Sequence, residues 1–251
     1  MNFAYVSFVN ENPLYINLMH STIASIQAFS KYPLILYFIV NDIHNYTNPF
    51  TQYHSQVICR IIDTKLNDIY YYKPFVINHA LQNGLSNGYY IESDDVLTPH
   101  ADKYLLTQLS NITSIPLSPI HPDDVTVPWL DLKMASCDQK TQHYIHGHVL
   151  FTISCLPFIQ EWLTTCLRHP HYRYRNNDET VLNLIYWKHK CRNHYLPIID
   201  PYFENFNNSQ YRDSAVTYHG CKDPIIQHEL FQKMKQYYST SSTSSSTSSS
   251  S

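Results

Sequence analysis

The sequence predicts an α/β protein, a single domain whose mostly parallel central sheet is flanked by helices. Apolar runs of strand length alternate with segments of helical period along the chain. Strands that alternate with helices are joined by crossover connections, which give a parallel sheet. Leu34 to Val40 is seven apolar residues in succession, as expected of a strand covered on both faces. With 251 residues, 43% of them hydrophobic, the chain is long enough to bury a core, and no internal linker is visible.

The first half begins with a β-rich run and an N-capped helix. Asn12 is a suitable N-cap, and Pro13 suits the first position of a helix. Asn83-Gly84 and Asn87-Gly88 then predict turns before a fourth strand. The expected elements are strand 3–9, helix 13–29, strands 34–40 and 57–62, helix 74–81, and a strand that begins near Tyr89.

The second half continues the alternation and ends in a compositionally biased tail. From Ser239 to Ser251 only Ser and Thr occur, so we expect this tail to be disordered. We predict a single domain over 1–238, whose first half, 1–95, has the pattern of a nucleotide-binding half-domain and is followed by a second half at 96–238. The expected elements are helix 101–109, strand 149–153, a helix around Phe158 to Leu163, helix 178–189, strand 215–218 and helix 224–238.

Composition narrows the possible partners and compartment. The formal charge of -3 and the pI near 6.5 show that the chain is not basic overall, so nucleic acid is not an expected partner. The six cysteines are scattered without a C-x-x-C pair, which favours reduced thiols. We find neither a signal peptide nor a stretch of about 18 apolar residues. We therefore expect a cytoplasmic protein without an integral membrane segment, in the host cytoplasm if the source is viral.

The most informative motif is Glu92-Ser93-Asp94-Asp95, which follows an apolar run. Three carboxylates within four residues need a cation to hold their charges together. A divalent ion that also binds a substrate's phosphates is the most economical answer. The expected place is the carboxyl end of a central strand, where open α/β sheets bind ligands.

A second motif, His219-Gly220-Cys221-Lys222-Asp223-Pro224, lies near the other terminus. Imidazole can complete a metal shell built from carboxylates, glycine lets the backbone approach a phosphate, and lysine supplies a point charge for it. The chain lacks G-x-G-x-x-G, G-x-x-x-x-G-K-[ST] and G-x-S-x-G motifs. The sequence therefore does not support three classes of α/β protein, namely dinucleotide oxidoreductases, P-loop enzymes and α/β-hydrolases.

These motifs resemble those of GT-A fold glycosyltransferases, closest to the retaining glycogenin and galactosyltransferase-like group, glycosyltransferase family 8. Glu92-Ser93-Asp94 matches the Asp-x-Asp signature of that group, with Glu in the first place. Residues 219–224 echo its late His-x-x-Gly-x-x-Lys-Pro signature with a shorter spacing. The weaker counterparts are residues 8–15 for the loop that holds the uracil and ribose, residues 146–151 for an Asn-x-Gly strand, and residues 177–183 for an Asp-Gln helix start.

The chain departs from the group's pattern at several positions. His146 and His148 stand where the group has Asn and Gly, and Glu179 replaces its Gln. The acidic motif can also be framed as Ser93-Asp94-Asp95, so that Asp94 belongs to both frames.

The resemblance implies transfer of a hexose from a nucleotide sugar to a hydroxyl acceptor, with UDP-glucose, UDP-galactose or UDP-GlcNAc as the favoured donors. It implies that the second half, 96–238, binds the sugar and the acceptor. It implies Mn²⁺ or Mg²⁺ as cofactor and retention of the anomeric configuration, with the departing phosphate oxygen as base. If the reaction inverts, a carboxylate such as Asp178, Glu179 or Asp124 must take the acceptor proton. The acceptor is a glycan, a protein or a lipid-linked sugar.

Two alternatives stay open, a sugar-nucleotide nucleotidyltransferase and a non-catalytic binding module with this fold. The predicted site divides into three sets. The metal ligands are Glu92, Asp94 and His219; the catalytic residues are Asp94, Asp178 and Glu179; the donor-binding residues are Asn10, Tyr15, Lys73, Ser93, Asp95, Gly220 and Lys222.

Overall fold

A five-stranded sheet forms the centre of the protein, in the order β3 (Val57–Asp63), β2 (Leu34–Val40), β1 (Phe3–Asn10), β4 (Asn87–Tyr90) and β7 (Val149–Thr152). The structure is a computed structural model that describes residues 2–53, 55–63, 71–120, 144–168, 177–189, 195–196, 200–212 and 214–244. Strands β1 to β4 are parallel, and β7 runs antiparallel to β4. The strands are β1 Phe3–Asn10, β2 Leu34–Val40, β3 Val57–Asp63, β4 Asn87–Tyr90, β5 Val96–Leu97, β6 Ser118–Pro119, β7 Val149–Thr152, β8 Tyr195–Leu196 and β9 Thr217–Tyr218.

Helices flank the central sheet. Residues of both predicted halves contribute to one large hydrophobic core cluster. The α-helices within the described residues are α1 Pro13–Phe29, α2 Tyr72–Gln82, α3 Ala101–Gln108, α4 Leu156–Arg168, α5 Asn177–Lys188, α6 Ser209–Arg212 and α7 Pro224–Ser244.

Local sequence accounts for the first elements. All seven residues of β2 are buried, because the strand lies between β1 and β3 in the sheet. The Asn12 side chain accepts a hydrogen bond of 2.9 Å from the amide of Leu14 and so caps α1, with Pro13 at its first position.

A small antiparallel sheet brings the late motif to the acidic one. Strand β5 follows the acidic residues and pairs with β9, with Val96 opposite Tyr218 and Leu97 opposite Thr217. Because β9 leads directly into His219, residues 219–222 lie beside the turn formed by residues 92–95.

The predicted fold class is confirmed, and the structure adds three details. Strand β4 ends at Tyr90, so the acids occupy a turn and not the strand itself. The two-residue strands β6 and β8 were not predicted, because elements so short have no periodicity to detect. The orientation of β7, antiparallel to β4, was not predicted either.

The disordered tail predicted from Ser239 begins too early. Helix α7 continues to Ser244, and the hydroxyls of Ser239 and Thr240 donate to the carbonyls of Lys235 and Gln236 in the preceding turn. The remaining tail residues and Asp124 lie outside the described residues. Within the described chain no helix is both long and apolar enough to cross a bilayer.

Candidate active site

A cavity of about 550 Å³ opens at the carboxyl ends of β1 and β4. The strand order reverses between these two strands, because β2 follows β1 on one side and β4 joins it on the other. Such switch points are where open α/β sheets bind ligands. Eleven of the twelve predicted site residues line this cavity: Asn10, Tyr15, Lys73, Glu92, Ser93, Asp94, Asp178, Glu179, His219, Gly220 and Lys222.

The β1 end of the cavity is aromatic and carries an amide. Phe8, Asn10 and Tyr15 line it. The ring of Phe8 packs 5.6 Å from that of Tyr72 and 6.4 Å from that of Tyr90, centroid to centroid. This end therefore offers flat apolar surface with few charges, which suits a nucleobase.

The acidic turn directs two of its carboxylates to the cavity and one away from it. Glu92 and Asp94 line the cavity, whereas Asp95 is fully buried behind it. The Asp95 carboxylate accepts hydrogen bonds of 2.6 Å from the amide of Glu92 and from Nε2 of His148. In this arrangement the Asp95 carboxylate is used inside the protein, and Glu92-Ser93-Asp94 is the frame that faces the cavity. That Asp95 binds the donor stays a prediction, which this placement does not favour.

Lys73 joins the acidic turn to the start of α5. Its Nζ lies 2.7 Å from Oε1 of Glu92 and 2.9 Å from Oδ2 of Asp178, and only 5% of its side chain is exposed. Burial works to lower the pKa of this ammonium, but Asp178 and Glu92 raise the pKa well above its usual value. Lys73 is thus a charged, buried group held by carboxylates. In this arrangement its ammonium is not open to a phosphate.

Glu179 meets the same cluster through Gly147. The amide of Gly147 donates a 3.0 Å hydrogen bond to Oε1 of Glu179. A Cβ at position 147 would lie 2.6 Å from that oxygen and would also overlap Nζ of Lys73, so a larger residue here would displace one or both of these side chains. Burial raises the pKa of Glu179 to about 7, although Lys73 works in the opposite direction.

Lys222 supplies the accessible cation. Its Nζ lies 2.5 Å from Oδ2 of Asp94, yet 65% of the Lys222 side chain is exposed. Burial and the neighbouring Glu92 raise the pKa of Asp94 in spite of Lys222. Gly220 beside it has a φ of +85°, a conformation that favours glycine.

The predicted metal set does not fit this arrangement. Glu92 and Asp94 are paired with Lys73 and Lys222 respectively, and not directed at a common point with His219. Across the part of the chain that the structure describes, no three His, Cys, Asp or Glu side chains are placed to hold a metal ion together. The predicted Mn²⁺ or Mg²⁺ stays a prediction, and Asp94 could ligate it only after Lys222 moves away.

Two histidines and a tyrosine also line the cavity. The ring of His219 lies 4.5 Å from His146 and 4.6 Å from Tyr202, and all three residues line the cavity. His148 is fully buried behind His146. Burial works to lower the pKa of His148, but Asp95 and Asp200 raise the pKa to about 10. No sequence signal pointed to Tyr202 or Asp200.

Two buried side chains from distant elements fix the acidic turn. Thr22 of α1 donates to the carbonyls of Ser93 and Asp95 at 2.8 and 2.7 Å. Gln227 of α7 donates to the same two carbonyls, both at 3.1 Å. The turn that presents Glu92 and Asp94 is therefore held from both ends of the chain.

No protein-family model matches the chain, and neither does any curated protein. Many solved structures are similar to it, including two glycosyltransferases. One is described as a glycosyltransferase involved in the glycosylation of the major capsid of PBCV-1, with a TM-score of 0.56 and 10% identity; the match covers 92% of this chain and all of that one. The other is the WbbM bifunctional glycosyltransferase, with a TM-score of 0.61 and 14% identity; the match covers 93% of this chain and 49% of that one. At these identities the likeness shows the fold and not the reaction. The chain therefore has a fold that it shares with glycosyltransferases.

Proposed function

We propose that this protein is a glycosyltransferase that takes a nucleotide-sugar donor, with a UDP-hexose favoured, in the cavity at the carboxyl ends of β1 and β4. The observation that supports it best is the combination of groups that line one cavity. Aromatic rings at Phe8 and Tyr15, an exposed lysine at Lys222 and the carboxylates around Lys73 all line it. These groups suit the base, the diphosphate and the sugar of a nucleotide sugar.

The order of strands in the sheet supports an orientation of the donor with its base near β1 and its sugar near β7. Asn10 ends β1, the acidic turn follows β4, and Gly147 precedes β7, and these strands are successive neighbours in the sheet. A ligand laid across their ends would meet the aromatic surface first and the Gly147–Glu179 contact last.

The negative charge of the leaving diphosphate needs a cation. Lys222 is the cavity-lining lysine whose side chain is mostly exposed, and it lies beside the positive-φ Gly220. An ammonium and a close backbone approach together favour a phosphate at this point. Lys222→Met should weaken UDP binding about tenfold, as expected for loss of one charge-assisted hydrogen bond. The matched control is Lys233→Met, an exposed lysine of α7, which should bind UDP like the unchanged protein.

Turnover is tested by incubating the protein with UDP- and GDP-sugars, with and without simple sugar acceptors, and measuring the free nucleotide released. We expect release from at least one donor, lost in Asp94→Asn. Binding of the donor without release in any reaction would favour the non-catalytic module. Formation of pyrophosphate from a nucleoside triphosphate and a sugar phosphate would favour the nucleotidyltransferase instead.

Cofactor and stereochemistry are separate proposals that the same reaction tests. Running it with Mn²⁺, Mg²⁺ or EDTA measures whether a metal is needed. The anomeric configuration of the product, read by NMR, distinguishes retention, which we expect, from inversion. If the product is inverted, Glu179 is the cavity-lining candidate for the base, since a carboxyl with a pKa of about 7 accepts a proton near neutral pH.

A further inference from the structure

The end of the cavity around Lys73 holds more negative than positive charge. Three carboxyl groups, those of Glu92, Asp178 and Glu179, surround the one ammonium of Lys73. We call this set the carboxylate end of the cavity. Glu92 and Asp178 together outnumber the single positive charge of Lys73, and Glu179 adds a further negative charge as the pH rises through its pKa of about 7.

The groups of the carboxylate end hold one another. Lys73 makes two short ion pairs, and Glu179 accepts a hydrogen bond from the amide of Gly147. Nζ of Lys73 and Oε1 of Glu179 both lie close to Gly147. These contacts oppose rotation of the carboxylates away from a ligand and departure of Lys73 to another anion.

We propose that the carboxylate end selects an uncharged donor sugar and rejects sugars that carry a carboxylate, such as uronic acids. This inference depends on the proposed function, because it assumes that the sugar of a nucleotide-sugar donor occupies this end. Hydroxyl groups of a neutral sugar donate hydrogen bonds to carboxylates, which accept them strongly. A uronate instead has only acceptor oxygens on its acid group and adds a like charge in a partly buried site, where repulsion is poorly screened.

The test compares two pairs of donors that differ only at C6 of the sugar. Binding of UDP-glucose and UDP-glucuronate, and of UDP-galactose and UDP-galacturonate, is measured by calorimetry at neutral pH in the same buffer and metal. Binding of UDP alone measures the contribution of the nucleotide, which all four donors share. We expect each neutral sugar to bind at least about tenfold more tightly than its uronate.

Variants assign the discrimination to this end of the cavity. Asp178→Asn and Glu179→Gln each remove one charge at nearly constant shape, and each should reduce the preference for the neutral sugar severalfold. Glu161→Gln is the matched control, since it removes the same charge from the surface of α4 and should leave the preference unchanged.

The possible outcomes separate the two proposals. If UDP and the neutral donors bind but the uronates bind equally or more tightly, the proposed selection of neutral sugars is wrong, whereas the proposed donor site still holds. The selection is also wrong if the preference is present but neither variant changes it. If neither UDP nor any of the four donors binds, the proposed function fails and this inference fails with it.

Discussion

At the scale of single residues, the site depends on how its charges are paired, and Lys73 is the clearest case. Replacing Lys73 with Met leaves Glu92 and Asp178 beside each other without a cation, with 29% and 14% of their side chains exposed. Removing one partner of a fully buried ion pair costs about 3–5 kcal/mol. Because solvent reaches Glu92, we expect a smaller loss, about 2–3 kcal/mol, in the free energy of unfolding measured by urea denaturation.

An exposed lysine provides the control for Lys73. Lys188 makes an equally short contact with Glu161, but 55% of its side chain is exposed. Lys188→Met should therefore cost less than about 1 kcal/mol. If the two substitutions lower the free energy of unfolding by the same amount, the ion pairs of Lys73 with Glu92 and Asp178 do not stabilise the protein as proposed. Should Lys73→Met fail to fold, the double variant Lys73→Met/Asp178→Asn, which also removes a buried charge, should recover part of the stability.

Glu179 gives a prediction about pH. Its pKa in the folded protein, about 7, lies above the ordinary value of 4.5. The folded state therefore favours the protonated carboxyl, and that contribution to stability is full below pH 4.5 and lost as the pH rises through 7. Glu179→Gln mimics the protonated form. Its free energy of unfolding, relative to the unchanged protein, should rise between pH 5 and pH 8 by up to about 3 kcal/mol.

The surface acid Glu161 should show the opposite trend. Partial burial works to raise the pKa of Glu161, but Lys188 and His189 lower it. A carboxyl with a lowered pKa stabilises the protein above its ordinary pKa and loses that contribution as the pH falls. Denaturation curves at pH 5 and pH 8 test Glu179→Gln, and curves at pH 3 and pH 5 test Glu161→Gln, whose difference from the unchanged protein should appear only in the lower range. A flat difference for Glu179→Gln would contradict its raised pKa.

At the scale of elements, α7 positions the acidic turn from the far end of the chain. Gln227 is fully buried and donates to the carbonyls of Ser93 and Asp95. Gln227→Ala should lower stability by about 1–3 kcal/mol, because those buried carbonyls lose a donor. It should also lower the turnover number for donor more than it changes the Michaelis constant, if the turn must be held for the chemical step.

A second glutamine of the same helix controls for α7 itself. Gln232 is exposed, and Gln232→Ala should stay within about 0.5 kcal/mol with unchanged turnover. A Gln227→Ala protein that loses stability but keeps its turnover number would show that Gln227 has no part in positioning the turn.

The elements also mark what can be predicted from the sequence. Strand β2 and helix α1 have clear local signals, namely a run of apolar residues and an N-cap followed by proline. Strands β6 and β8 have none, since each is two residues long. Whether the Asp95 carboxylate faces the cavity or the protein interior depends on the direction of the acidic turn. Hydrogen bonds from Thr22 and Gln227, which are 73 and 132 positions away from Asp95 in sequence, hold that turn. Such long-range contacts cannot be recognised from a local pattern.

At the scale of the whole molecule, the fold explains why residues from both ends of the chain form one site. The order β3-β2-β1-β4-β7 puts the ends of β1 and β4 side by side, and the β5–β9 pair adds residues 219–222. The sequence motifs were sufficient to find most residues of this cavity. They were not sufficient to show which carboxylates pair with which lysines, because those pairs join residues that are 19, 105 and 128 positions apart.

The central claim is that this cavity binds a nucleotide-sugar donor, and hydrogen exchange tests it most directly. Amide exchange is measured by mass spectrometry with and without the UDP-sugar that gives the greatest turnover or the tightest binding. We predict slower exchange in residues 91–98 and 217–223, on the two sides of the cavity. Slower exchange confined to the surface groove of α4 and α5 around Thr164 and Arg168, with no change in those two segments, would contradict the account.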